Sequence, residues 1–510
     1  MKRSIKKLVA LCLALMMALS LLAGCGGGNE NGGSSETGVK KELVVGTEEN
    51  VTTLDPQASN SRPNLSLYWL THNTLINNND GEFENNLTES YEQTDDVTWV
   101  FHLRKGVKFH NGEELKASDV KFTYTRAVDS SYTSEKVQWI SEINTPDDYT
   151  VELKLSAPVQ DILFFLADKT LSILNEKAVT ENPDDGFKIG TGPYVLREWV
   201  LNDHTTVDRF ADYFGEQPKS EVITFRIIPE ASARLISLQT GEIDVCLFPA
   251  RIDLDTVRGN SDLQLIETGG DTMHYLTFNT TRAPFDDVRV RQGLAYAIDR
   301  EKVIEVAAEG NGVPAYSFFS PGYGLTEDVE HYNTDMDKAV ALLKDAGYSE
   351  SNKLSFTMSV SGDVKLLQAQ AIQQCFNATG LVDMQIESME LTALKALFKD
   401  ANYDASLYNW ANENAGPDMN VRPLLHTGSG SNRSHFGDAA IDELMDKALV
   451  EVDDTARLAL YAEIQKDVID QLPIMPLYYD TVYVAATAKL QGFTPNCSEV
   501  HRFTYAYVTE

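Results

Sequence analysis

Positive charge is in short supply in this 510-residue chain: 43 lysines and arginines face 76 aspartates and glutamates, a formal charge of −33. Phosphate backbones and anionic headgroups need a basic surface, so nucleic acid is excluded as a partner. Cysteine is sparse as well. Cys12, Cys25, Cys246, Cys375 and Cys497 are scattered, which excludes a disulfide framework and a zinc site. The last three read as small buried hydrophobes. Nine histidines are dispersed, and His426 and His435 lack metal-ligand spacing, so neither a metal nor a cofactor is expected. No G-x-S-x-G elbow, H-E-x-x-H helix or cysteine–histidine signature occurs, and no enzyme is expected. Fixed-period repeats are absent too, and the single long apolar run is confined to the N-terminus.

That run defines a leader. Lys2, Arg3, Lys6 and Lys7 precede apolar residues 8–22, interrupted by Ser20, and Leu22-Ala23-Gly24-Cys25 follows. The order is that of a secretory signal peptide, too short and wrongly flanked for a membrane span. The last four residues resemble a lipobox, with Cys25 as the lipid attachment site. A two-chain lipid there would anchor the mature protein stably to the outer face of the cytoplasmic membrane. Cleavage removes four basic residues and takes the formal charge to −37. Residues 25–41 form a lipidated, Gly/Ser/Asn-rich tether with Val39 as its one apolar side chain, and the folded part is expected from Glu42.

The remaining length exceeds one core, so two or more lobes are expected. Leu43–Thr47, Thr98–Leu103, Tyr149–Leu155, Ala405–Trp410 and Leu477–Val484 read as strands. Helices are expected over 119–128, capped by Ser118; over 287–300, on the stripe Val290, Leu294, Ile298; and over 335–346, 440–450 and 455–472. Strands and helices alternating in this way imply α/β lobes. Asn111-Gly112 is a turn, and Gly190-Thr191-Gly192-Pro193 is a turn before a strand, lacking phosphate-loop spacing. Asp287, Arg289 and Arg291 read as helix-end and surface charges.

Several stretches carry a resemblance. FHLRKGVKFHNG at 101–112 with ASDV at 117–120, GTGPY at 190–194 with Trp199, FNT at 278–280 running through PFDDVRVRQ at 284–292 and AYAIDR at 295–300, residues 339–348, and PIMPLYY at 473–479 occur in order. They resemble the family 5 bacterial extracellular solute-binding proteins, the peptide- and nickel-binding proteins of ABC importers. The resemblance implies an α/β, bilobal, periplasmic-binding-protein-like clamp. It has two mixed-sheet lobes, a hinge of two chain crossings and an extra subdomain. Lobe I would take 42–76, 195–270 and 485–510, the subdomain 77–194, and lobe II 271–484. Closure of the lobes over a ligand is the implied mechanism.

In peptide-binding relatives a tryptophan-containing segment carries an aspartate that meets the ligand's ammonium. Matching Asn409-Trp410 and Pro417 puts Glu413 at that position, one methylene longer. A carboxylate facing an ammonium in a dry cleft forms a charge-assisted pair. A solvated loop glutamate is the plain alternative. Trp410 would offer an apolar wall or be ordinary core. Glu48 and Asn50, after the first strand, and Tyr275, near a hinge crossing, complete the ligand-binding candidates. The expected partners are a short peptide, the permease and ATPase subunits of the importer, and the membrane through the lipid; the chain is expected to be a monomer. Nickel or a nickel chelate, an oligosaccharide, a secreted hydrolase and a peptide-sensing receptor remain as alternatives.

Overall fold

The computed structural model describes residues 38–79, 82–159, 161–319, 325, 329–411, 416–451 and 453–510. The leader, Cys25 and Glu413 lie outside the described residues. Order begins slightly earlier than Glu42. Lys40 donates its backbone N–H to Val508 O at 2.8 Å and its ammonium to Asp244 at 2.7 Å.

The centre is a sheet of eleven strands among the described residues. Its order runs 382–388, 354–360, 405–410, 263–278, 474–487, 245–247, 42–47, 222–227, 204–209, 194–200, and the eleventh strand, 312–314, pairs with 474–487 off this path. The first strand, Glu42–Thr47, pairs in parallel with Val222–Ile227, and both of its faces are covered, as its near-continuous apolar sequence requires. Two strands are far longer than the rest: Leu263–Phe278 and Ile474–Thr487. They pair antiparallel from Leu263↔Thr487 to Gly269↔Thr481, lose register, and resume at Met273↔Tyr479. Gly270 sits in this irregular stretch because a Cβ there would lie 2.6 Å from Asp480 O. The two long strands thus join the strands on either side of them into one mixed sheet.

Buried side chains gather in distinct cores. Residues 273–479 supply one, including Leu276, Phe278, Phe356 and Leu477. Residues 75–173 supply a second, built on the sheet of strands 88–95, 98–103, 150–155 and 140–147. Val151, Leu153 and Leu155 alternate inward from it. The third joins the first strand to 194–247 and 484–508.

Local chemistry accounts for the element ends. Asp287 caps helix Val288–Ala297 by accepting Arg289 N–H at 2.9 Å. The helix stops there rather than running to Arg300, because Asp299 caps a second helix, Arg300–Ala308, through Lys302 N–H. Arg291 is interior, donating to Phe285 O and Gln471 O. Helix Ala117–Ala127 is fixed by Asp119 accepting Lys116 N–H at 2.9 Å, not by a Ser118 hydroxyl. The two glycine-containing turns meet. His110 Nδ1 accepts Gly190 N–H at 3.2 Å and its Nε2–H donates to Gly192 O at 3.0 Å. A Cβ on either glycine would run into the carbonyls of Leu70 and Thr71. Cys246 and Cys375 are buried and Cys497 is half-buried.

Candidate functional site

Strand Ala405–Trp410 lies antiparallel to Met273–Phe278, and Trp410 ends it opposite Met273. Gly416 precedes helix Pro417–Leu425, which Pro417 opens with the φ a first turn needs. Trp410 Nε1–H donates to Met419 O at 3.2 Å, tying strand end to helix start. The indole N–H is thereby satisfied, and the half-buried ring faces a cavity of about 590 Å³.

Separate stretches of the chain line this cavity, among them Trp410, Asp418, Met419 and Arg422; Trp139, Asp161, Phe164 and Phe165; and Trp69, Lys169, Ser498 and Arg502. A smaller cavity of about 330 Å³ shares Asn60, Ala411 and Ser498 with it and reaches Glu49, Arg62 and Asp480. Arg62 bridges Glu49, at 2.8 Å, and Glu499, and lies over the Phe248 ring.

Buried charge of both signs surrounds the main cavity. Asp161 is 3% exposed, and its Oδ1 has no hydrogen-bond partner. Burial, reinforced by Asp418, pushes its carboxyl up to about 7. Burial also raises Asp418, which Arg422 opposes from 2.8 Å. Burial holds the Lys169 ammonium, also in the lining, well below its ordinary range, with the repulsion of Arg502 adding to the effect. Lys169 Nζ lies 3.7 Å from the centre of the Trp69 ring and donates to Asn77 Oδ1 at 3.0 Å. Arg502 lies 3.9 Å from the same ring centre.

Of the four described ligand candidates, only Trp410 lines this cavity. Glu48 accepts from Arg234 Nη2 at 2.9 Å, and Arg234, fully buried, donates to the carbonyls of Ile228, Pro229, Leu247 and Phe248. Glu48 is therefore the counter-ion of a buried guanidinium. Asn50 exchanges hydrogen bonds with Asn202, at 3.0 Å and 2.7 Å, and holds that residue's left-handed turn. Tyr275 is 1% exposed inside the 273–479 core. Asp161, Trp139 and Lys169 were not legible as site residues. Asp161 precedes an apolar helix, Ile162–Ala167, and reads as an ordinary first-turn acid.

His435 Nε2–H donates to Phe398 O at 2.8 Å, and His426 lies near Asp442 and Asp446. No group of three metal-ligating side chains occurs among the described residues. None of their helices is long and apolar enough to cross a membrane.

The family model for the bacterial extracellular solute-binding proteins, family 5, matches residues 82–432. The dipeptide-binding protein of Escherichia coli K12 is 30% identical over 453 residues, 82% of this chain and 84% of that protein. Heme-binding protein A of Haemophilus influenzae is 27% identical over 447 residues, 81% of this chain and 82% of its own. Among solved structures, the ABC transporter-associated periplasmic binding protein DppA of Helicobacter pylori, in complex with peptide STSA, is similar at a TM-score of 0.73. It is 26% identical, covering 92% of this chain and 98% of that one. The chain belongs to the family 5 extracellular solute-binding proteins and has their periplasmic-binding-protein-like α/β fold. The relatives named here are binding proteins, and that of Helicobacter pylori is associated with an ABC transporter.

Proposed function

We propose that the chain is the ligand-capturing lipoprotein of an ABC importer, and that its ligand is a short peptide held in the 590 Å³ cavity. One observation carries the reading: the cavity takes its walls from separate segments and sets aromatic side chains beside buried acidic and basic ones. A zwitterionic chain with apolar side chains complements that lining, its carboxylate toward Lys169 and Arg502. Glu413 would meet the α-ammonium from the segment between Trp410 and Gly416. The crossing strands, irregular between Gly269 and Met273, would serve as the hinge, and the closed form would be the shape the permease accepts. Cys25 would carry the lipid that holds the chain at the membrane.

An oligosaccharide is the second reading, because Trp139 stands in the wall as well as Trp410 and gives a sugar two platforms. No histidine lines the cavity among the described residues, which weighs against a nickel chelate. Thermal melts with di- to octapeptides, nickel with and without histidine, and oligosaccharides separate these readings, since a ligand that binds only the folded state raises Tm. Peptides are expected to shift Tm. A shift with sugars alone would reject the peptide reading.

A further inference from the structure

The two cations that act on Asp161, Arg422 and Arg457, pair with other carboxylates, while Arg422 Nη2 and Arg457 Nε keep no hydrogen-bond partner. Arg422 serves Asp418 at 2.8 Å and Asp446 at 2.9 Å. Arg457 serves Asp454 at 2.8 Å. Among the described residues, no cation stands within ion-pair distance of Asp161. Its one carboxylate neighbour, Asp418, adds repulsion. Pro417, at the first position of the helix opposite, has no N–H to offer, and Gly416 before it makes close contact possible. A Cβ on Gly416 would lie 2.6 Å from the Asp161 carboxylate. Asp161 is thus an acid shut away from water, with an orphaned oxygen, in the wall of a cavity. An unmatched buried carboxylate is costly unless a counter-charge arrives or it takes a proton.

We propose that Asp161 is a cation-binding subsite, which takes the ammonium or guanidinium of a basic side chain in the captured ligand. The inference rests on the peptide reading and adds a side-chain preference to it. Trp139, Phe164 and Phe165 lie in the same wall and suit the methylene stem of a lysine or arginine, whose head then reaches the acid.

Titration calorimetry with paired tripeptides tests this. Each pair carries lysine or norleucine at one of the three positions, so that only the ammonium differs. At one position the unaltered protein is expected to bind the lysine member about tenfold more tightly. Asp161→Asn should bring that ratio to about one and leave the norleucine affinity unchanged. Gly416→Ala, which crowds the carboxylate from the opposite side, should also lower the ratio. Equal binding of both members by the unaltered protein at all three positions overturns the proposal, as does an equal weakening of both members in Asp161→Asn. Should no tripeptide bind the unaltered protein, the peptide reading falls on its own. The subsite is then read with 1,5-diaminopentane: saturable binding that Asp161→Asn abolishes supports it, and absence of binding overturns it.

Discussion

His274 Nε2 and Asp480 Oδ2 lie 2.9 Å apart, joining the two crossing strands where their register slips. The imidazole stacks on Tyr478, with centroids 4.4 Å apart, and its Nδ1 accepts from Lys365 Nζ at 2.7 Å and from Gln368 at 2.9 Å. With Nδ1 accepting, Nε2 carries the proton and donates to Asp480, so the ring is neutral. Burial lowers the affinity of His274 for a second proton, against the pull of Asp480. A polar knot of this kind fixes one arrangement of the crossing strands.

Lys365 makes that knot sensitive to pH. Burial pulls its ammonium down to about 7, opposed by Asp480. The folded protein therefore holds this proton less tightly than the unfolded chain, whose lysine keeps its ordinary value of about 10.4. Stability from this group is complete above the unfolded value and is lost as pH falls toward about 7. Urea midpoints are expected to rise between neutral pH and about pH 10, and Lys365→Met should flatten that rise.

Asp161 has the opposite sign. Its folded value of about 7 lies above that of an unfolded aspartate, so the protonated form favours the fold. Stability should fall as pH climbs through about 7 and level off beyond it. Asp161→Asn should remove this slope and raise Tm at pH 8, the gain being a few kcal/mol at most. Melting curves from pH 4 to 9 for both forms provide the comparison.

Glu48 should prove to be a stability residue. Glu48→Ala leaves the buried Arg234 guanidinium with carbonyl partners alone, a loss of about 1–2 kcal/mol after discounting for the partial exposure of Glu48. Chemical denaturation should register that loss, while calorimetry should return an unaltered peptide Kd. A weakened Kd at unaltered stability would place Glu48 at the ligand.

Glu413 has a chemical test of its own. Glu413→Gln is expected to weaken free-amine peptides by about tenfold or more and N-acetylated peptides far less. Equal weakening of the two would remove Glu413 from the ammonium role.

Much of the fold was legible because elements are set locally. Strand Ala405–Trp410 has the limits its sequence suggests, and Asp335 caps helix Met336–Asp345 as a helix start should be capped. The helix stripe through Val290, Leu294 and Ile298 hid the break, because Ile298 stays buried although the backbone there is extended. The site was far less legible. Trp410, singled out by its neighbours in sequence, lines the cavity, but Asp161 acquires its character only by burial against Gly416 and Asp418, more than 250 residues away. Glu48 and Tyr275 lie near the right strands yet face a buried arginine and the core.

The central claim is closure of two parts of one molecule over a small guest. Small-angle X-ray scattering on the mature protein, empty and saturated with its best-binding peptide, measures it directly. The account predicts a smaller radius of gyration in the saturated sample. Identical scattering curves under proven saturation would contradict it.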